Sequence, residues 1–317
     1  MSHFTVLVIG YDYEGQLSPY DESIRAVPYR RYWDDEDLQW REESLTEPPT
    51  SGDAFVPKRG KDGRVPLEDL VRAYNERWAS DDGDQAFLDP EGGIYQMTTY
   101  NPHAKWDWYS VGGRWRGYFK LKDGGEGEIG ESGVGDNNPT FDADQCLKGD
   151  VDVEYMRDVR GDAAGALWDR AQVVFGDLPE ARPWKEFYAD ALDPETANPR
   201  PGAIEEARTL YGEQPRVVAM RAHDKEVGWQ NAICDFFGPR VEDFQGSREE
   251  YVQDARDATL PTFAYVYRGE WFAPGKMGMF GLSSDEEADR KVFRRAFNEF
   301  FDSLPDDTQL TLVDCHI

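Results

Sequence analysis

Leu310–Ile317 reads LTLVDCHI and Phe4–Ile9 reads FTVLVI, two apolar, β-branched runs at opposite ends of a 317-residue chain. Each has the length and composition of a buried strand, and Gly10 stops the first. Working inward from the tail, Leu304-Pro305-Asp306-Asp307 ends a helix expected over Asp285–Leu304. Its Phe293, Ala296, Phe297, Phe300, Phe301 and Leu304 make one broad apolar stripe. Before it, TFAYVY (Thr262–Tyr267), the turn Arg268-Gly269-Glu270 and Glu270–Phe272 predict a β-hairpin. Strands at both ends with helices concentrated between them predict an α+β fold. The expected architecture is a mixed or antiparallel sheet containing both terminal strands, closed around a largely helical middle insertion.

That reading divides the chain into residues 1–122 and 260–317 as a sheet-forming α+β core, 123–144 as a Gly-rich acidic linker, and 145–259 as a mainly helical region. The linker assignment rests on Asp123–Pro139, DGGEGEIGESGVGDNNP, with its run of glycines. Helical spacing is visible in Val153, Met156, Val159, Ala163, Leu167 and Ala171, then in Trp184, Phe187, Tyr188 and Leu192. Ile204–Tyr211 and Val217–Phe237 read as further helical pieces, and Ser247 with Glu250 forms a capping box. Nearer the N-terminus, Leu67, Leu70, Val71, Tyr74 and Trp78 share a helix face. Tyr95, Met97 and Thr99 alternate as in a strand. WRGYFKL (Trp115–Leu121) is expected as another strand, with a compact turn between the two. Tyr11–Gly63, including DDED at Asp34–Asp37, shows no sustained period and reads as loop.

Charge bounds the function. Asp and Glu number 63 against 35 Lys and Arg, a net charge of -28. Direct nucleic-acid or anionic-membrane binding needs a cationic face and is disfavoured. A protein partner with a basic surface, or a small ligand, fits better. Aromatics at 14% mark a folded chain with a sizeable core. The three cysteines, Cys146, Cys234 and Cys315, are widely spaced and odd in number, which suits a reducing compartment. The opening residues lack a basic n-region, and no stretch approaches the length of a membrane span. These features predict a cytoplasmic protein without membrane attachment.

The sequence contains no GxxxxGK[ST], no strand–GxGxxG–helix, no HExxH, no GxSxG and no EF-hand loop, so no cofactor is evident. Asp81-Asp82-Gly83-Asp84 lacks calcium-loop spacing. Chemistry concentrates in Trp106, Asp107, Trp108, Tyr109, Ser110, Val111, Gly112, Gly113, Arg114 and Trp115. The glycine pair permits positive φ and close backbone approach. Arg114 beside Trp108 and Trp115 could hold an anion or stack on a base, and Asp107 could fix that arginine or a sugar hydroxyl. The competing reading is an aromatic hairpin packed in the core, with Asp107 paired to Arg114. Alternation along the last strand puts Asp314 and His316 on one face, and His3 joins them if the first strand lies alongside. Two imidazoles and a carboxylate would suit a divalent metal. Cys315 faces the other way and reads as core. Gly275–Gly281 (GKMGMFG) reads as a structural loop, because Asp285, Glu286 and Glu287 in the following first turn would repel an anion.

At MSHFTVLVIG, KWDWYSVGGRW, GKMGMFG and LPDDTQLTLVDCHI the chain resembles a family of bacteriophage-encoded proteins, particularly those of phages infecting actinobacteria. The resemblance covers about a quarter of the chain and brings no activity with it. It implies action in the cytoplasm of an infected bacterium, as an accessory protein rather than a virion part. Two functions are therefore expected. One is binding of a host protein or small ligand, such as inhibition of a host defence or nucleic-acid-handling protein. The other is an enzyme acting on a nucleotide-like substrate, with Asp107, Tyr109 and Arg114 at its site and a metal at His3, Asp314 and His316.

Overall fold

The computed structural model describes residues 3–48, 54–79, 85–133, 138–194, 198–234, 239–275 and 287–317. In chain order the first half comprises β1 (His3–Ile9), α1 (Tyr13–Leu17), β2 (Tyr29–Tyr32), α2 (Asp35–Thr46), α3 (Leu67–Arg77), β3 (Ala86–Leu88), β4 (Ile94–Thr98), β5 (Trp108–Gly113), β6 (Gly127–Glu128), β7 (Glu131–Ser132) and β8 (Gln145–Leu147). There follow α4 (Val153–Phe175), α5 (Trp184–Ala191), α6 (Ala203–Gly212), α7 (Pro215–Val227), α8 (Arg248–Asp257), β9 (Ala264–Tyr267), β10 (Glu270–Phe272), α9 (Glu287–Ser303) and β11 (Gln309–His316). The chain forms two compact units, a larger one of Met1–Tyr13 and Tyr109–Cys315 and a smaller one of Glu14–Trp108 and His316–Ile317.

The larger unit is built on a mixed sheet in the order β10-β9-β1-β11-β5-β7, with β8 paired to β11 and β6 to β8. The fold is α+β, and the two terminal strands are neighbours in this sheet, as their sequences predict. β1 runs parallel to β9, with Val6 opposite Ala264 and Val8 opposite Val266. β9 returns antiparallel into β10 through Arg268 and Gly269, whose φ values of 52° and 77° are those of a tight two-residue hairpin turn. Every residue from Leu310 to His316 is buried, whichever way its side chain points, so β11 is covered on both faces. Leu7, Ile9, Leu310 and Leu312 meet Phe297 and Phe301 of α9, and Leu304 just past its end, in one core. A second core, among the helices, gathers Ala171 and Phe175 of α4, Val217 and Met220 of α7, and Phe244.

The smaller unit carries an antiparallel sheet in the order β2-β4-β3, with Trp33, Leu45, Leu70, Ala73 and Ile94 in its core. The Arg41 guanidinium lies 4.5 Å from the Trp33 ring centroid, so a buried cation is held partly by an aromatic face.

Several local expectations need correction. DDED does not lie in a loop: Asp34 caps α2, accepting the Asp37 N–H at 2.8 Å, and the acids that follow face the positive end of the helix. Trp115–Leu121 is no continuous strand. It begins in a turn, and among the described residues its β-bridges are isolated ones, Phe119–Ala143 and Leu121–Val151. Conversely, β5 occupies part of the stretch expected as a turn. α7 stops at Val227 instead of running to Phe237, because Gly228 takes a φ of 78° that ends the helix. On α4, Val159 is exposed.

Candidate functional site

β5 ends in the glycine pair, and both glycines have left-handed φ, 77° at Gly112 and 54° at Gly113. Space explains them as much as conformation does. A Cβ on Gly112 would lie 2.6 Å from Asp144 Oδ2, and one on Gly113 would lie 2.4 Å from Asp314 Oδ2. Each glycine therefore makes room for one aspartate, and both aspartates are buried.

A buried carboxylate is tolerable only when its oxygens are satisfied. Asp144 accepts three backbone N–H groups, from Gly117 at 3.0 Å, Tyr118 at 3.0 Å and Gly130 at 2.8 Å. Asp314 accepts the Arg114 N–H at 2.9 Å through Oδ2 and faces His3 Nδ1 at 2.8 Å through Oδ1. With a carboxylate opposite, Nδ1 is the protonated ring nitrogen of His3. Trp115 N–H closes the turn on the Gly112 carbonyl at 3.1 Å. The outcome is a turn braced from beneath by two buried acids, with the Arg114 and Trp115 side chains exposed above it. Tyr109, half-buried on the same strand, packs edge-on against Tyr13 at 6.3 Å.

The rest of the aromatic segment belongs to the smaller unit. Trp106 is buried, and its indole N–H donates to the Leu17 carbonyl at 3.2 Å. Asp107 Oδ1 accepts His316 Nδ1–H at 2.6 Å and the Trp108 N–H at 2.8 Å. The Trp108 ring lies nearly parallel to the His316 imidazole, 5.1 Å away at 18°, and keeps 42% of its surface exposed. Asp107 is thus the carboxylate that orients His316. Of the three candidate metal ligands, His3 and Asp314 are in direct contact, and the imidazole of His316 is held by Asp107. Among the described residues no group of three or more His, Cys, Asp and Glu side chains is arranged to hold a metal ion.

Asp144 is the residue that sequence reasoning passed over. It follows a glycine-rich acidic run, and nothing in FDADQC marks its second aspartate as one that folds inward. The two buried thiols are quiet: burial pushes Cys146 up to about 12, and burial followed by the Asp314 charge raises Cys315 well above the ordinary thiol range. Lys276–Gly281 of the glycine- and methionine-rich loop, Asp285 and Glu286 after it, and Asp81–Asp84 lie outside the described residues. Comparison with protein-family models, with curated proteins and with solved structures gave no match.

Proposed function

We propose that the protein acts by binding another protein through the braced turn, with Trp115 and Arg114 as its contact residues. The observation that supports this reading is the investment beneath the turn. Two left-handed glycines and two buried aspartates fix a backbone that leaves the Arg114 and Trp115 side chains exposed. A fixed turn loses little conformational entropy on association, and Trp and Arg are the side chains that most often dominate binding energy. The net charge of -28 favours a partner with a basic surface, drawn in by long-range attraction. On this reading, and on the resemblance noted above, the partner is a host protein encountered in the bacterial cytoplasm, such as a defence or nucleic-acid-handling protein.

Affinity capture from bacterial extract, wild type against Trp115→Ala and Arg114→Ala, tests this. A partner retained by the wild type should be lost or weakened at least about tenfold in both variants. Capture should also fall toward molar salt, where the Debye length is roughly 3 Å. Identical recovery by all three proteins overturns the reading.

A catalytic alternative draws on the two imidazole–carboxylate pairs, His3–Asp314 and His316–Asp107, since a carboxylate on Nδ1 makes Nε2 the basic ring atom. Against it, both imidazole side chains are only 6% exposed. Turnover of a nucleotide-like substrate that disappears in His316→Gln or His3→Gln, with the fold intact, would move the conclusion to an enzyme.

A further inference from the structure

The larger unit also holds a concentration of charge opposite in sign to the chain as a whole. An open cleft of about 800 Å³ lies among α5, α8, α9 and the short 3-10 turn Val241–Phe244, within the roughly 300–1,000 Å³ range of small-ligand sites. Lys185 of α5, Arg240 ahead of the turn, and Arg290, Lys291 and Arg294 of α9 all line it. Three carboxylates line it as well, so the lining is net positive in a strongly acidic protein.

Those carboxylates are engaged. Glu242 accepts the Trp184 N–H at 2.9 Å and the Tyr211 hydroxyl at 2.6 Å. Asp243 accepts the Arg240 backbone N–H at 2.7 Å, and Asp254 holds Lys291 Nζ at 2.6 Å. Among the described residues, the side chains of Lys185 and Arg240 enter no ion pair. Lys185 and Arg240 thus bring two like charges from separate elements to one cleft with no ion-pair partner among the described residues, an arrangement that favours an anion between them. Tyr251 lines the same space. Burial, with the Asp243 charge adding to it, lifts its phenol to about 12, so it keeps its proton at neutral pH and can donate.

We propose that this cleft binds a small molecule carrying two or more linked phosphate groups. Cations arriving from three separate elements suit the several oxygens of linked phosphates, whereas a lone carboxylate needs only one guanidinium fork. A nucleic-acid strand is disfavoured, since it needs a continuous cationic track and would meet a chain of -28.

The test is calorimetric titration of the full chain with pyrophosphate, ATP and AMP, in EDTA at matched ionic strength. Pyrophosphate or ATP should bind saturably at one site, and Lys185→Ala and Arg240→Ala should each weaken binding at least about tenfold. Both side chains are exposed, so both variants should melt like the wild type. ATP binding tenfold or more tighter than pyrophosphate would assign a nucleotide, and equal affinity would assign the polyphosphate group itself. Absence of saturable heat with all three, binding unchanged in both variants, or AMP binding as tightly as ATP would overturn the proposal.

Discussion

At the β5 turn, Asp144 and Asp314 are buried and bonded to backbone amides and an imidazole, and they face nothing that a ligand could reach. At the cleft among α5, α8 and α9, Lys185 and Arg240 stand exposed and enter no ion pair among the described residues, while the neighbouring carboxylates are taken up by the protein itself. One region spends charge on shape, and the other keeps it for solvent or a ligand. The contrast teaches that net charge locates neither. Among 63 acidic residues the structurally decisive ones are the few that are buried, and among 35 basic residues the informative ones are those gathered in one place.

The sharpest way to break the comparison is to remove the brace. Asp144→Ala leaves the buried Gly117 N–H and the half-buried Tyr118 and Gly130 N–H groups without their acceptor. At about 1–3 kcal/mol for each stranded group, urea denaturation should show a loss of several kcal/mol or no folded protein. Gly113→Val should do comparable damage, because its Cβ cannot coexist with Asp314 and its φ is strained for any branched residue. If either variant melts like the wild type, the turn is not braced as described. The matching change in the cleft, Lys185→Ala, should leave stability within about 0.5 kcal/mol.

Alkali offers the next largest effect, and again only buried groups take part. Cys146 lies near 12 when folded against about 9 when unfolded, and burial raises Cys315 and Tyr118 in the same direction. A group whose folded pKa is raised contributes stability that is complete below the unfolded value and is lost as pH climbs toward the folded one. Stability should therefore hold to about pH 9 and then fall, by about 1.4 kcal/mol per pH unit for each such group. Urea midpoints measured between pH 8 and 11 check this. A Cys146→Ser variant should lose part of the alkaline slope. At pH 8 a thiol reagent should label Cys234, which is half-buried, well before the other two cysteines.

The fold was legible where local pattern and burial coincide. FTVLVI and the first half of LTLVDCHI are apolar on both faces, the pattern of interior strands, and the two strands do share a sheet. α2 was illegible for the opposite reason. Leu38, Arg41 and Leu45 supply its inward contacts while acids fill its first turn, and a helix with so little apolar face looks like loop until its cap is seen. Asp34→Ala should cost about 1 kcal/mol, read as a small shift in midpoint, because one side-chain acceptor at a helix start is lost. The candidate site was half legible. Residue types singled out the glycine pair and the His–Asp partners. What the glycines serve depends on Asp144 and Asp314, which lie 32 and 202 residues from Gly112 and were placed there by the fold alone. The cleft was less visible still, since Lys185, Arg240 and the α9 cations share no local motif.

A small effect on stability is also expected of Arg114→Ala, and it sharpens the comparison most. The two aspartates under the turn bond to backbone, and Asp314 takes the Arg114 amide, a group that alanine also carries. Losing the exposed guanidinium therefore leaves the brace intact, and the melting midpoint should correspond to a change below about 1 kcal/mol. Asp314→Asn probes the other half of the same contact. It keeps the side-chain shape, but an amide offers one acceptor oxygen where the carboxylate offers two, so either the Arg114 N–H or the His3 ring N–H is left facing a donor, and it should destabilise clearly, by about 1–3 kcal/mol. A large gap between these neighbours, one change mild and the other severe, is what a rigid turn with expendable outward side chains requires. If Arg114→Ala proved as damaging as Asp314→Asn, the arginine side chain would be part of the scaffold, and the turn would no longer be a platform built to present it.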